Sequence, residues 1–333
     1  MILDNRISNH AFADLNEYVL ETKNLISASA ASTFIIQNDC IVNEWYAGFH
    51  DNSDGSRMVD AESQFNVASI RKTYLGIAIS LALYEGKIKS LNDRVTDYLD
   101  DVNESVMSNT TIRHLLTHTH GLEGLHKRSF PPGSNWKYNN AGVNLLIQMI
   151  QKLFDQPLAH VMEERVFKPY GFMETGWRKH KKNKLVWMNE SYAGDQGGEA
   201  NLFVSTRELA AWGYIHLTKG KLEGKQIIPS KVFEQAVSII SPAHPHGSLP
   251  QHGFFWWVQD QPRPTSELGS DLPRGTYQSL GLYGNACIVI PECKAVVVRM
   301  INQTESNPPG YDYLKDIRTF GNIAYRCIRN LKR

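Results

Sequence analysis

The most constraining feature of this chain of 333 residues is a long apolar stretch at residues 70–84. Almost every position in it is apolar or small, as in Tyr74-Leu75-Gly76-Ile77-Ala78-Ile79. A helix that is apolar on nearly every side is a buried helix rather than a surface helix. Glu85-Gly86 follows, and glycine readily adopts the left-handed conformation that closes a helix. The sequence therefore predicts a helix that runs through the core of the protein.

Ser69 and Lys72 stand at the start of this predicted helix, where residues three apart share a face. Arg71 points about 200° away from Ser69 around the helix axis. A serine hydroxyl becomes a good nucleophile when a neighbouring base removes its proton. An apolar environment lowers the pKa of a lysine amine, and a helix N-terminus favours developing negative charge. The pair is a candidate nucleophile and base; the alternative is a serine that caps the helix and a lysine that reaches solvent.

A second S-x-x-K match occurs at Ser134-Asn135-Trp136-Lys137, directly after Pro131-Pro132-Gly133. Proline and glycine at these positions indicate a turn, so no helix places this lysine on the face of its serine. A chain of this composition contains about one such match by chance. We interpret the second match as the chance occurrence.

The charge balance and the N-terminus argue against several classes of partner. A net charge of +1 gives no reason to expect nucleic acid or an anionic membrane surface as a partner. Residues 1–10 lack the basic and apolar regions of a signal peptide, and no stretch has the length of a membrane span. We therefore expect a cytoplasmic protein. The sequence carries no signal of its oligomeric state.

Hydrophobic periodicity predicts a mixed fold with strands near both ends of the chain. The expected elements are a helix at 10–25, a hairpin at 33–37 and 41–46, helices dominating 69–238, strands at 254–258, 286–290 and 295–301, and a helix at 311–330. We predict an α+β fold: an antiparallel sheet flanked by the N- and C-terminal helices, with a large helical insertion. Residues 1–66 and 222–333 would form the sheet lobe and residues 67–221 a mostly helical lobe, with the active site between them.

Four histidines lie close together in the sequence, at His114, His118, His120 and His126. A zinc hydrolase uses histidine ligands together with a carboxylate or thiolate. Here His118-Thr119-His120 is followed by Gly121-Leu122 rather than by an acidic residue and a further histidine. We predict no metal site, and helix capping and core hydrogen bonding as the roles of these side chains.

Tyr138-Asn139-Asn140 is the second stretch of interest. On its own it indicates an aromatic core residue followed by Asn140 as the cap of a helix at 141–154. The combination is more specific than any one of these features. Along the chain, a Ser-Lys pair on a buried helix is followed by a Tyr-x-Asn behind a Pro-Gly turn, and then by late strands with a glycine-rich edge.

With these parts in place, residues 33–302 resemble the serine β-lactamase-like hydrolases. That family comprises class C β-lactamases, D-alanyl-D-alanine peptidases, esterases of the same fold and 6-aminohexanoate-dimer hydrolase. Ser69-Ile70-Arg71-Lys72 matches its first motif and Tyr138-Asn139-Asn140 its second. The resemblance implies a β-lactamase/transpeptidase-like fold, with Ser69, Lys72 and Tyr138 as catalytic residues and Asn140 as a positioning residue.

The third motif of the family departs from its usual form in this chain. Relatives usually carry Lys or His, a small residue and Gly on an edge strand, whereas the matching stretch here is Ser279-Leu280-Gly281-Leu282-Tyr283-Gly284-Asn285. This form is most similar to the 6-aminohexanoate-dimer hydrolase branch. Ser279, Gly281, Leu282 and Tyr283 are the implied substrate-positioning residues, with Leu282 N–H in the oxyanion hole. The lost cation makes β-lactam and D-peptide substrates less expected, unless an arginine such as Arg299 or Arg128 replaces it in space.

The resemblance implies a serine hydrolase that forms an acyl-enzyme on a small ester or amide, with no metal and no other cofactor. We expect Tyr283, Trp256 and Trp257 to line an apolar acyl pocket. The alternative is a non-catalytic or sensory binding protein on the same fold, and a metal-dependent hydrolase is the third possibility.

Overall fold

The computed structural model describes residues 5–7, 10–188, 190–243, 247–303 and 306–331. Its α-helices are α1 Ala13–Leu25, α2 Arg71–Tyr84, α3 Glu104–Met107, α4 Ile112–Leu116, α5 Ala141–Phe154, α6 Leu158–Met162, α7 Lys168–Tyr170, α8 Thr206–Leu217, α9 Ser230–Val237 and α10 Tyr313–Asn330. Its strands are β1 Ala28–Gln37, β2 Cys40–Gly48, β3 Gln64–Asn66, β4 Thr175–Trp177, β5 Leu185–Val186, β6 Leu202–Ser205, β7 Lys221–Leu222, β8 Lys225–Gln226, β9 Trp257–Val258, β10 Tyr277–Gly281, β11 Asn285–Ile290 and β12 Ala295–Gln303.

The largest sheet has six strands in the order β2-β1-β12-β11-β10-β9. All neighbouring strands are antiparallel, and β1 pairs with β12 from Ala28↔Gln303 to Gln37↔Ala295. Strands from the two ends of the chain therefore meet in one antiparallel sheet, as the sequence predicted.

Alternate residues of β12 bury against helices on opposite faces of this sheet. Val297 packs in a cluster with Leu15 of α1 and Phe320 of α10. Val296 packs in a second cluster with Trp212 of α8. Helices thus cover both faces, with the N- and C-terminal helices together on one of them, and the predicted α+β fold is confirmed.

The predicted buried helix is α2, and twelve of its fourteen residues are buried. It contacts α5, α6 and α9. A Cβ on Gly76 would lie 2.7 Å from Phe254 O, so glycine permits the close approach of the chain after α9. Because α9 packs on α2, the helical region includes residues beyond 221; the lobe boundaries themselves stay a prediction.

Two features differ from the sequence-based expectation. The four-stranded sheet β4-β6-β3-β5 takes three of its strands, β4, β5 and β6, from the region expected to be helical, because strands of two to four residues are too short to show periodicity. The strand expected at 254–258 is reduced to β9, since Phe255 has a φ of 64°, which is incompatible with an extended strand.

None of the helices in the described ranges is both long enough and apolar enough to cross a lipid bilayer.

Candidate active site

A turn of 3-10 helix, Ala68–Ile70, follows β3, leads into α2 and carries Ser69. Asn66 shapes this turn, because its Oδ1 accepts a hydrogen bond from Ala68 N at 2.8 Å. Ala68 has a φ of 47°, a left-handed conformation that is uncommon for a residue with a Cβ. Such strain persists only where surrounding contacts enforce it, and it clusters at functional sites. The result is a serine held at the N-terminal end of a buried helix.

Ser69, Lys72 and Tyr138 form a closed hydrogen-bonded trio. Lys72 Nζ donates to Ser69 Oγ at 2.7 Å, and Tyr138 Oη donates to the same oxygen at 2.6 Å. Lys72 Nζ also hydrogen-bonds Tyr138 Oη and lies 4.7 Å from the centre of the tyrosine ring. The structure thus brings together the three side chains that the sequence analysis selected, and the Ser69 hydroxyl bonds within this trio instead of capping a helix.

The environment keeps both partners of Ser69 uncharged at neutral pH. Burial, together with the positive charge of the adjacent Arg71, lowers the pKa of the Lys72 amine to about 6. Burial of the Tyr138 hydroxyl raises its pKa above the ordinary value for tyrosine. Lys72 can therefore accept a proton, and Tyr138 retains one that it can donate.

His118 fixes the loop that carries Tyr138 between α4 and α5. The two rings pack with their centres 4.6 Å apart. His118 O accepts a hydrogen bond from Lys137 N at 3.0 Å, and its Nδ1 accepts one from Asn139 N at 3.5 Å. Burial lowers the pKa of His118, so the ring is neutral and can serve as this acceptor. The backbone is held on both sides of Tyr138.

Asn140 precedes α5 but its side chain does not cap the helix, so that expectation is wrong. Asn139 Oδ1 instead accepts a hydrogen bond from Ala141 N at 2.7 Å. The reason is that Asn140 already has helical φ and ψ, whereas a capping residue is usually extended. Asn140 is exposed and bonds none of the trio, and its positioning role stays a prediction.

The third-motif stretch lies on β10 and the turn after it. A Cβ on Gly281 would lie 2.3 Å from Val67 O, so glycine allows β10 to approach the chain directly before the Ser69 turn. Leu282 and Tyr283 line the same cavity as Ser69, and Tyr283 has a φ of 69°. Ser279 is buried, and its hydroxyl has no hydrogen-bond partner among the residues described.

Ser69 and Tyr138 open into a cavity of about 1040 Å³. Its aromatic walls are Trp136, Trp187, Trp257, Tyr283, Tyr311 and Tyr313. Three carboxylates also line it, from Asp51, Glu190 and Glu267. Trp257 and Tyr283 lie where the sequence analysis expected them, but Trp256 is completely buried and packs edge-on against Tyr277.

Sequence reasoning missed most of these walls. Glu267, Trp187 and Tyr313 come from segments far apart in the chain, and no local motif marks any of them. Only the folding of the segment after β5, the loop before β10 and the start of α10 around the Ser69 turn brings them together.

Neither arginine considered as a replacement cation reaches the cavity. Arg299 is completely buried and forms a two-pronged ion pair with Asp316, at 2.8 and 3.0 Å. Arg128 is occupied by Thr110 Oγ1 and by backbone carbonyls. Among the described lining residues there is no lysine or arginine.

Of the four histidines between residues 114 and 126, His114, His118 and His120 form hydrogen bonds inside the protein, whereas His126 is exposed. His114 Nδ1 accepts from Thr111 N at the start of α4, and His120 Nδ1 accepts from Leu122 N. Within the described ranges, no group of three or more His, Cys, Asp or Glu side chains is arranged to hold a metal ion.

Comparison with known proteins places this chain in a family. The Beta-lactamase family pattern matches residues 22–318. An uncharacterised protein of Alkalihalophilus pseudofirmus is 40% identical over 337 aligned positions, covering 97% of this chain and 98% of that protein. A solved class C beta-lactamase superposes with a TM-score of 0.77 at 16% identity, covering 97% of both chains. EstCE1, a hydrolase with promiscuous acyltransferase activity, superposes with a TM-score of 0.71 at 18% identity, covering 94% of this chain and all of that one. This chain therefore belongs to the beta-lactamase family.

Proposed function

We propose that the protein is a serine hydrolase that acts through an acyl-enzyme on a small ester or amide. The observation that carries the proposal is the trio: Ser69 Oγ lies 2.7 Å from an amine whose pKa is lowered to about 6 and 2.6 Å from a protonated phenol. A nucleophile with a neutral base and a neutral acid in contact is the arrangement that covalent catalysis requires.

The residues support the following sequence of steps. Ser69 Oγ attacks the carbonyl carbon while Lys72 Nζ takes the hydroxyl proton. The oxyanion is stabilised by the backbone N–H groups of Ser69 and Leu282. Tyr138 then donates its proton to the leaving group as the tetrahedral intermediate collapses, and recovers a proton from the Lys72 ammonium. Water attacks the acyl-enzyme by the reverse sequence, releasing the acid and free Ser69.

The cavity favours substrates other than β-lactams and D-peptides. Those substrates carry a carboxylate, and a charge-assisted hydrogen bond to it contributes roughly 1.5–3 kcal/mol. Ser279 and Leu280 replace the residues that supply this bond in relatives, and no described lining residue is a lysine or arginine. We expect kcat/KM for p-nitrophenyl butyrate to exceed that for nitrocefin by at least one power of ten. A clear preference for nitrocefin would contradict this substrate class.

The experiment that tests the proposal is covalent labelling. The protein is incubated with a fluorophosphonate and its intact mass is measured, with and without EDTA. One adduct on Ser69, unaffected by EDTA and absent from Ser69→Ala, is the expected result. No adduct and no ester turnover would favour a non-catalytic binding protein. Turnover that EDTA removes, without an adduct, would favour a metal-dependent hydrolase.

A further inference from the structure

The three carboxylates of the cavity differ in whether the protein supplies a hydrogen-bond partner for the side chain. Asp51 accepts hydrogen bonds from Ser53 N at 3.0 Å and from Lys181 Nζ at 3.1 Å. Glu190 accepts one from Met188 N at 2.8 Å. The Glu267 side chain forms no hydrogen bond and no ion pair with any described residue, although its backbone oxygen accepts from Gln278 Nε2. Glu267 is therefore the carboxylate that a bound molecule can satisfy.

Glu267 is partly buried between Ser266 and Leu268, which are themselves buried. Burial raises the pKa of its carboxyl to about 7, while the charge of Arg318 acts to lower it. The Arg318 guanidinium donates to the carbonyls of Ser266 and Pro264, so its hydrogen bonds go to the backbone and not to the carboxylate. A half-buried carboxylate without a partner is costly, and a cation beside it would remove that cost.

The surroundings of Glu267 also suit a cation. Glu267 lines the same cavity as Ser69, Tyr138 and Tyr313, and its negative charge contributes to the raised pKa values of the two tyrosines. Trp136 and Trp257 contribute further aromatic rings to the same cavity, with centres 5.5 Å apart. Aromatic faces attract ammonium groups, most strongly where water is excluded. No lysine or arginine among the described lining residues competes for the site.

We propose that the acyl group of the substrate carries a positive charge and that Glu267, with the aromatic wall, binds it. This inference rests on the proposed hydrolase function and specifies its substrate class: esters or amides with an ammonium group on the acyl side. It reverses the charge preference of relatives in which the third motif presents a cation to a substrate carboxylate.

The test uses three p-nitrophenyl esters with acyl chains of similar length. The first is the 4-(trimethylammonio)butanoate, which is cationic. The second is its neutral isostere, the 5,5-dimethylhexanoate, and the third is the anionic monoester of glutaric acid. Each kcat/KM is measured at pH 8, where Glu267 is ionised, and divided by the rate of hydroxide-catalysed hydrolysis of the same ester. This division removes differences in intrinsic reactivity.

We expect the wild-type protein to prefer the cationic ester to its neutral isostere by about tenfold or more, and the anionic ester to be the poorest substrate. Glu267→Gln should reduce the cationic-to-neutral ratio to near one. Glu190→Gln is the matched control, because that carboxylate lines the same cavity but already has a partner, and it should keep most of the ratio. Ratios taken within one variant are insensitive to a general loss of activity.

A second measurement needs no variant. Butyltrimethylammonium should inhibit wild-type hydrolysis of the neutral ester competitively, whereas butanesulfonate should not. Turnover of the neutral ester without cationic preference or inhibition overturns the inference and leaves the hydrolase intact. An equal loss for all three esters in Glu267→Gln, with accumulating acyl-enzyme, overturns it by assigning Glu267 to deacylation. Failure to hydrolyse any ester, with no fluorophosphonate adduct, overturns both proposals.

Discussion

The chain contains the pattern S-x-x-K twice, and the two copies adopt unrelated structures. At the first, Lys72 Nζ reaches Ser69 Oγ at 2.7 Å from one turn further along α2. At the second, Ser134 Oγ donates to Pro131 O at 2.7 Å, and Lys137 Nζ forms an ion pair with Glu123 at 3.2 Å. The second serine and lysine do not bond each other. Identical residue types at identical spacing meet only where the backbone is helical.

The two lysines, Lys72 and Lys137, differ in burial as well as in geometry. Lys72 is 3% exposed and its pKa is lowered to about 6. The side chain of Lys137 is 55% exposed and forms an ion pair with Glu123. A lysine can act as a base only in the first environment, so the apolar character of α2 is as much a part of the candidate site as the motif itself.

The largest expected effect comes from removing each serine in turn. Ser69→Ala should lower kcat/KM for p-nitrophenyl butyrate by roughly 10⁴-fold or more, because no other side chain of the trio can form the acyl-enzyme. Its melting temperature should change by only a few degrees, since two hydrogen bonds of about 1 kcal/mol each are lost. Ser134→Ala should retain nearly all activity. Full activity in Ser69→Ala would remove the central proposal.

Exchanging the lysines tests whether proton acceptance is what matters. Lys72→Arg keeps a positive charge but cannot accept a proton, so it should be as inactive as Lys72→Ala, a loss of about 10²–10⁴-fold. Lys137→Arg is the matched control and should behave as wild type. If Lys72→Arg retains most activity, Lys72 acts through its charge and another base must be identified.

The pH dependence of the wild-type protein should reflect the environment of Lys72. Below a pH of about 6 the amine is protonated and cannot act as a base, so kcat/KM for a neutral ester should fall about tenfold per unit of pH. Above it, activity should level off. Glu267 titrates nearby, at about 7, so the profile is repeated in Glu267→Gln. A limb that disappears in that variant would belong to Glu267 rather than to Lys72.

The parts of the molecule that local sequence determines could be predicted. The apolar run at 70–84 specifies a buried helix, and the register of that helix brings Lys72 to Ser69. The three consecutive valines of β12, at 296–298, indicate a strand buried on both faces. In each case residues close in sequence carry the whole signal.

The rest depends on contacts between distant segments. Glu267 and Tyr313 come to line one cavity with Tyr138 only after the chain has folded, so no spacing in the sequence could reveal that a carboxylate lies there. The backbone conformation of a single residue also matters. Because Asn140 has helical dihedral angles, Asn139 rather than Asn140 accepts the hydrogen bond from Ala141 N at the start of α5. Sequence patterns located the catalytic candidates but not the walls that would select a substrate.

The smallest expected effect is that of Lys137→Ala. This variant tests whether burial is what distinguishes Lys72 from Lys137. The side chain of Lys137 is exposed and its partner Glu123 is shared with Lys127, so the pair should contribute less than about 1 kcal/mol to stability. The bond from Lys137 N to His118 O belongs to the backbone and survives the substitution, so Tyr138 keeps its position. We therefore expect kcat/KM within about twofold of wild type and a melting temperature within about two degrees, with Glu123→Gln as the companion variant. A loss beyond tenfold in Lys137→Ala alone would show that this exposed lysine acts on Tyr138 through its charge, and that burial does not separate the two motifs.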